Sequence, residues 1–463
     1  MKLSKALRIS STSSSLSQSG EFETIAFVGA GGKSTALFQL ARELRPPAMV
    51  SATTHLGVWQ IPLVDQHRIV KTKGDLQKIS PRGVTLVTGE IEGDRTKGLG
   101  FDEIFWLREA CEKYSLPLLI EADGSHQKAL KAPGEHEPPI PDFVKTVVVV
   151  VGLSSLGKPL REEFVHRPEI FARLSGIQPG ETTTPEGLVR VLTHPEGGLK
   201  NIPSAARRVA LLNQADTPEL QAQADSIAKD LLSTYQSVVI ASLKAGNIHA
   251  VREPIAGIVL AAGAAVRYGQ PKQLLDWRGE PFVRAVTKTA LESGLSPVIV
   301  VTGAYADQVA AAVQDLPVQI THNREWQSGQ ASSIKAGISF LPGPHRHSVT
   351  SSPLSNGKGG RPGGGIFLLA DQPQVTPTIL DALVEEHAIT LASIIAPMVL
   401  DQRANPVLFD RDTFPDLMKL EGDVGGRGIF SRYKVTYLPW HDDAMLLDVD
   451  TPEHYQRLKD LLE

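Results

Sequence analysis

Leu260 to Leu275 read LAAGAAVRYGQPKQLL. The stretch follows an apolar run, Ile255 to Val259, that reads as a short buried strand, and it sets Gly263, Arg267, Gly269 and Lys272 within ten residues of one another. Small residues let a backbone approach a ligand and turn its amides toward an anion, while Arg and Lys neutralise phosphate charge. Glycines alone would equally suit an ordinary strand-to-helix turn. The basic pair at fixed offsets, with Pro271 and the helix-forming Gln273 to Leu275 behind it, favours a triphosphate cradle.

Beyond the loop, helices and strands are expected to alternate: a helix near Phe282 to Ser293, a strand at Pro297 to Thr302, a helix near Asp307 to Gln314 and a strand at Val318 to His322. That alternation implies a doubly wound, mostly parallel, Rossmann-like sheet. Ser332 and Ser333 fall at the start of a further helix, where they either cap it or face nucleotide base and ribose. Residues 343–365 have no alternating apolar pattern and read as a flexible insertion. Ile366 to Ala370 then leads into Asp371, a strand-end carboxylate suited to magnesium. A second acid comes from Asp450, with Asp448 in reserve, although Asp450-Thr451-Pro452-Glu453 is also a good helix start. Asn405 and the loop Gly422-Asp423-Val424-Gly425-Gly426-Arg427-Gly428 read as a substrate-binding side, against the alternative of a surface turn.

The chain has 463 residues, enough for two or three domains of ordinary size. Its composition, 41% hydrophobic and 21% charged, is globular. No apolar run approaches the roughly 18 residues that cross a bilayer, so no membrane partner is expected. A formal charge of -4 supplies no basic field for nucleic acid. The single cysteine, Cys111, excludes an intrachain disulfide and a cysteine zinc cluster, which suits a cytoplasmic setting. Residues 1–20, basic and then serine-rich, read as a disordered tail. Two domains are expected, over 21–250 and 254–463, joined by a short linker at 244–254.

The first of these opens with Thr24 to Val28, then Gly29-Ala30-Gly31-Gly32-Lys33-Ser34-Thr35, then a helical pattern from Ala36 to Leu44. Strand, glycine loop, lysine, hydroxyl pair and helix is the order of a P-loop, in which amides, Lys33 and Ser34 or Thr35 hold phosphate and magnesium. Phe27 stands where the longer motif has its first glycine, leaving the short GxxGKS form that resembles the loop of the Mur ligases. ATP or GTP is the expected ligand. Pro117 to Ile120 ends in Glu121-Ala122-Asp123-Gly124-Ser125, so Asp123, or Glu121, would face magnesium across the loop or else cap the next turn. Lys128, Lys131, His136 and Glu137 read as a solvated loop. Val209 to Leu212 runs into Asn213-Gln214-Ala215-Asp216, close to the NKxD element that reads guanine in GTPases but with Gln214 in the lysine place. The alternative there is a strand followed by a helix cap, since Asp216-Thr217-Pro218-Glu219 also starts a helix.

GAGGKST, Thr53-Thr54-His55, EADGS with KAPGEHEP, and HRPEIFARLSG over 166–176 resemble the YqeC family, described as accessory proteins of selenium-dependent molybdenum hydroxylases. LAAGxxxRxGxPKxLL, ADQP, RANPVLF, GDVGGRG and DVDTPE resemble the MobA-like nucleotidyltransferases, and most closely the MocA-type molybdenum cofactor cytidylyltransferases. Ala262 and the Pro271-Lys272 pair favour CTP over GTP by that resemblance. It implies transfer of CMP from CTP to molybdopterin, with Arg267, Lys272 and Asp371 catalytic, Leu260, Ala261, Ala262 and Gly263 on the nucleotide, and transient contact with a molybdenum hydroxylase apoenzyme. The competing readings are a non-catalytic cofactor chaperone and another cytidylyl- or guanylyltransferase of the same fold.

Overall fold

The computed structural model describes residues 1–9, 22–44, 47–77, 82–264, 268–342 and 360–460. The chain divides into two compact α/β units, Met1–Arg252 and Glu253–Glu463. The first is built on one sheet of nine strands. These are β1 (Thr24–Gly29), β2 (Ala48–Ala52), β3 (Gln66–Ile69), β4 (Val84–Thr88), β5 (Leu118–Glu121), β6 (Thr146–Gly152), β7 (Arg207–Asn213), β8 (Ser237–Ser242) and β9 (Asn247–Arg252). Their order is β9-β8-β7-β6-β1-β5-β2-β4-β3, parallel throughout except for β8 and β9. Every residue of β6 is buried, as its near-pure valine requires of a strand covered on both faces. Because β5 lies between β1 and β2, the carboxyl ends of β1 and β5 are neighbours, with Phe27 opposite Glu121.

Two expectations change here. The first nine residues are not a loose tail: α1 (Leu3–Ala6) is formed, and Leu3, Ala6 and Leu7 are fully buried. It packs on α2 (Lys33–Glu43), and Arg207 Nη1 donates to the Leu7 carbonyl at 2.6 Å. Apolar residues spaced for one helix face outweigh the basic, serine-rich composition, while residues 10–20 lie outside the described ones. The expected linker is likewise structured: β9 closes the sheet as an antiparallel edge strand, and Arg252 is paired with Asp225 at 2.8 Å.

The second unit is a mixed, mostly parallel sheet. Its strands are β10 (Ile255–Ala261), β11 (Val298–Thr302), β12 (Gln319–His322), β13 (Gly364–Leu369), β14 (Ile394–Val399), β15 (Gln402–Arg403), β16 (Val407–Asp410) and β17 (Val435–Pro439). The order is β12-β11-β10-β13-β16-β14-β15, with β17 also on β14. Only β16 and β15 run against their neighbours. Ile255 and Val259 face a core with Val283 and Val286 of α3 (Phe282–Glu292), whereas Ala256 and Ile258 face one with Ile334 of α4 (Gln330–Phe340). This period-two alternation places helices on both faces of the sheet. The helix expected at Gln273 to Leu275 is a single 3₁₀ turn, Lys272–Leu274. The insertion expected over 343–365 stops short of its end, because β13 begins at Gly364; residues 343–359 lie outside the described ones.

Leu3→Ala should lower the stability of the first unit by about 2–5 kcal/mol, the cost of truncating a buried leucine. Chemical denaturation followed by circular dichroism reads this directly, and a change of a few tenths would mean the segment does not pack.

Candidate functional sites

In the second unit, β10 is flanked by β11 and β13, so the chain after β10 and the chain after β13 emerge side by side at a topological switch point. Leu260 pairs with Leu369, and Ala370 N–H donates to the Leu260 carbonyl at 3.2 Å, which brings Asp371 beside Ala262. The loop is fastened from behind. Gln273, almost fully buried, donates from Nε2 to the Gly263 carbonyl at 3.1 Å, and the Tyr305 hydroxyl donates to the Ala264 carbonyl at 3.2 Å.

Lys272 Nζ lies 3.2 Å from Asp371 Oδ2 and 2.8 Å from Asp450 Oδ1. Two carboxylates from distant parts of the chain thus converge on one ammonium. Burial opposes a charged Lys272, but Asp450 and Asp371 outweigh it and raise its pKa. Burial pushes the Asp371 carboxyl above the usual carboxylate range against the pull of Lys272, and Asp448 pushes the same way. Asp448 itself accepts from Gln372 Nε2 at 2.8 Å. Asp450 is spared the capping role, since Thr451 Oγ1 accepts from His454 N–H at 3.3 Å.

Lys272 and Asp371 open on a cleft of about 550 Å³ that is also lined by Leu260 to Ala264, Trp326 to Gln330, Ser333 and Asp423; Asp448 and Asp450 are not among its lining residues. Asn323 Nδ2 donates to Ser332 Oγ at 2.7 Å and Ser333 Oγ at 3.0 Å, so neither serine caps α4. Asp423 Oδ1 accepts from Gln330 N–H at 3.3 Å, and Gly422 carbonyl from Ala331 N–H at 3.2 Å, which seats the glycine-rich loop on the start of α4. Asn405 and Arg427 are not among the cleft-lining residues, and Arg267 lies outside the described ones. No cluster of three or more His, Cys, Asp or Glu arranged for a metal occurs among the described residues. Asp371 and Asp450 nevertheless fit a divalent ion: they already converge on one cationic centre, and phosphate oxygens and water would complete the shell.

In the first unit, the loop from Gly29 to Gly32 turns at the end of β1. A Cβ on Gly31 would collide with Gly152, and one on Gly32 with the Asn213 amide, so only glycine lets the loop lie this close to β6 and β7. Asn213 fixes it there: Nδ2 donates to the Gly31 carbonyl at 2.7 Å and Oδ1 accepts from Leu243 N–H at 3.0 Å. Lys33 is buried, donating to the Gly29 carbonyl at 2.6 Å and lying 3.1 Å from Asp123 Oδ1. Ser34 Oγ donates to Glu121 Oε2 at 2.8 Å.

The metal role expected of Asp123 does not fit this arrangement. Its Oδ2 accepts from Gly29 N–H at 3.0 Å and Lys131 Nζ at 2.9 Å, while Oδ1 faces Lys33. Glu121, against the loop hydroxyl, is the better-placed acid; burial pushes its carboxyl up, opposed by Lys33 and Ser34. Nor is Lys131 solvated, and Glu137 is only partly so. Lys131 is buried, its Nζ bridging Asp123 and Glu137, and Arg167 closes the network on Glu137 at 2.6 Å. Glu137 is partly desolvated, but Arg167 and Lys131 hold its carboxyl far below the usual range.

A small-residue loop and a lysine held by a strand-end aspartate, Asp371, and by Asp450 before the last helix, on a mostly parallel sheet, form the site of a nucleotidyltransferase. Residues 257–437 match the MobA-like NTP transferase domain family and residues 25–169 the YqeC protein family. The chain belongs to both, as a fusion of a YqeC domain with a MobA-like nucleotidyltransferase domain. It is 32% identical over 234 residues to the uncharacterized protein YqeC of Escherichia coli (strain K12), covering 48% of this chain and 87% of that one. The nicotine blue oxidoreductase of Paenarthrobacter nicotinovorans is 31% identical, covering 44% of this chain and 96% of the relative. The purine catabolism protein PucB of Bacillus subtilis (strain 168) is also 31% identical, covering 45% and 98%. No helix among the described residues is long and apolar enough to cross a membrane.

Asp123→Asn would leave Lys33 and Lys131 facing a neutral amide inside the first unit. The expected loss is about 3–5 kcal/mol, the cost of breaking a buried ion pair from one side, measured by urea unfolding. The Glu137 contribution has its own pH signature: because its folded pKa is lowered, the stabilisation is complete above a free glutamate's pKa of about 4.3 and fades as pH falls below it. Glu137→Gln should flatten that acid limb.

Proposed function

We propose that the second unit is a molybdenum cofactor cytidylyltransferase. An oxygen of the molybdopterin phosphate attacks the α-phosphorus of CTP in line; a P–O bond forms, the α–β bridge breaks, and pyrophosphate leaves with the electron pair. No general base is needed, because a phosphate monoester is already ionised at neutral pH. The observation that carries this reading is Lys272 held between Asp371 and Asp450 at the loop Leu260–Ala264. Loop amides and Lys272, with Arg267, take the triphosphate; Ser333, beside Ser332, faces base and ribose; Asp423, next to Gly422, serves the pterin side. Magnesium on Asp371 and Asp450 would draw charge from the phosphate oxygens as the bond breaks. Incoming phosphate then competes with the carboxylates for Lys272, so the resting ion pair is exchanged rather than lost.

The choice of CTP rests on Ala262 and Pro271-Lys272. A partial match supports the cofactor: the chain is 31% identical over 88 residues to a probable molybdenum cofactor guanylyltransferase of Bacillus cereus (strain Q1), covering 42% of it. In this reading the first unit binds ATP or GTP at Gly29–Thr35 and couples it to maturation or delivery of the cofactor to a molybdenum hydroxylase apoenzyme in the cytoplasm. The oxidoreductase name of one relative suggests a second chemistry. The carboxylate pair around Lys272 favours nucleotidyl transfer.

Incubation with molybdopterin, magnesium and each NTP should release pyrophosphate and form a cytosine dinucleotide; a guanine product, or none, would overturn the assignment. Asp371→Asn should cut turnover on the order of 10²-fold or more. The Asp371 pKa is raised, so the charged carboxylate disfavours the folded state at neutral pH. The variant should therefore be no less stable than the parent there.

A further inference from the structure

We propose that the first unit is specific for a guanine nucleotide and that Asp216 is the residue that reads the base. The inference deepens the phosphate-loop reading of Gly29–Thr35 and rests on it. Strands β1, β6, β7 and β8 are consecutive in the sheet and parallel, so their carboxyl ends lie in one row. The phosphate loop leaves β1, and Asn213 to Asp216 leave β7, two strand spacings or about 10 Å away. That offset suits a ligand with phosphate at one end and a base at the other.

The ground between the two loops is tightly packed. Gly31 abuts Gly152 at the end of β6, and the Gln214 side-chain amide lies over Gly152, where any Cβ would meet it. Gln214 adopts φ 64°, a left-handed backbone conformation that directs the chain around this shelf. Asn213 bonds both the phosphate loop and Leu243 N–H, so the ends of β1, β7 and β8 move as one piece.

The helix-start alternative for Asp216 is resolved by its neighbour. Thr217, not Asp216, caps the helix Pro218–Leu231, its side chain accepting from Leu220 N–H at 3.3 Å. Asp216 is exposed, and no side-chain partner engages its carboxylate among the described residues. A carboxylate accepts only. Guanine presents two donors on one edge, the N1 hydrogen and the 2-amino group, which a carboxylate accepts as a charge-assisted pair. Adenine offers a lone pair at N1 and no 2-amino group, and so repels it. Xanthine, with a carbonyl at C2, is refused by Asp216 but accepted by an asparagine amide.

The test is equilibrium binding of GTP, ATP and XTP, with magnesium, to the full chain and to Lys33→Ala, counting only binding that Lys33→Ala removes, so that nucleotide on the second unit is excluded. GTP should bind at least about 10²-fold tighter than ATP. Asp216→Asn should reverse the preference toward XTP, and Asp216→Ala should lose GTP without gaining XTP. Equal binding of ATP and GTP, or Asp216→Asn with an unchanged order, would overturn the base assignment and leave the phosphate loop standing. If Lys33→Ala removed no binding at all, the phosphate-loop reading itself would fall.

Discussion

A lysine ammonium drawn in beside a glycine loop must be held there by opposing charge, and this constraint organises both units. A lysine withdrawn from water loses hydration that only an opposing charge at hydrogen-bond distance restores. Each unit supplies that charge from the end of a neighbouring strand: Asp123 faces Lys33 at 3.1 Å, and Asp371 faces Lys272 at 3.2 Å. Parallel strands make this possible, because loop and carboxylate leave the same end of the sheet. The doubly wound topology is thus the device by which residues far apart in sequence become an ion pair beside a glycine loop.

The two solutions differ in what they leave open. In the first unit Asp123 faces two lysines, accepts from a backbone amide and is almost fully buried, so it is built into the loop. Removing it would strand charge. In the second unit Asp371 lines the cleft, and it shares Lys272 with Asp450, so the lysine is held by two partly exposed carboxylates rather than by a buried one. The raised pKa of Asp371 expresses the same difference, since its lysine does not fully offset burial.

How far this was legible in the sequence depends on the range of each interaction. Strands flanked by glycine loops announce themselves through local pattern, and β1, β6, β10 and β13 are found within a residue or two of their expected bounds. Acids directly after such strands are also legible, because topology alone places them at the ligand end. What pattern cannot reveal is pairing across the chain. Lys131 and Glu137 sit in a polar, proline-rich stretch that looks solvated, and only Asp123 and Arg167 explain their burial. Gln273, read as a helix former, is the buried tie for the Gly263 carbonyl, and its one local hint is an amide set directly before two leucines. The edge strand β9 looks like a linker in sequence, because nothing in it signals the β8 neighbour that pairs it.

The tetrapeptide Asp-Thr-Pro-Glu occurs twice, at 216–219 and 450–453, and shows how one local signal can carry two messages. Pro at the first helical turn and a hydroxyl before it start a helix wherever they occur. In both copies threonine does the capping, accepting from the amide three residues on. The aspartate before it then lies outside the helix. In the second unit that carboxylate meets Lys272; in the first it is exposed beside the Gln214 shelf. A helix start capped by its threonine takes the capping role off the preceding acid, whose carboxylate can then meet a partner from elsewhere in the chain, as Asp450 meets Lys272.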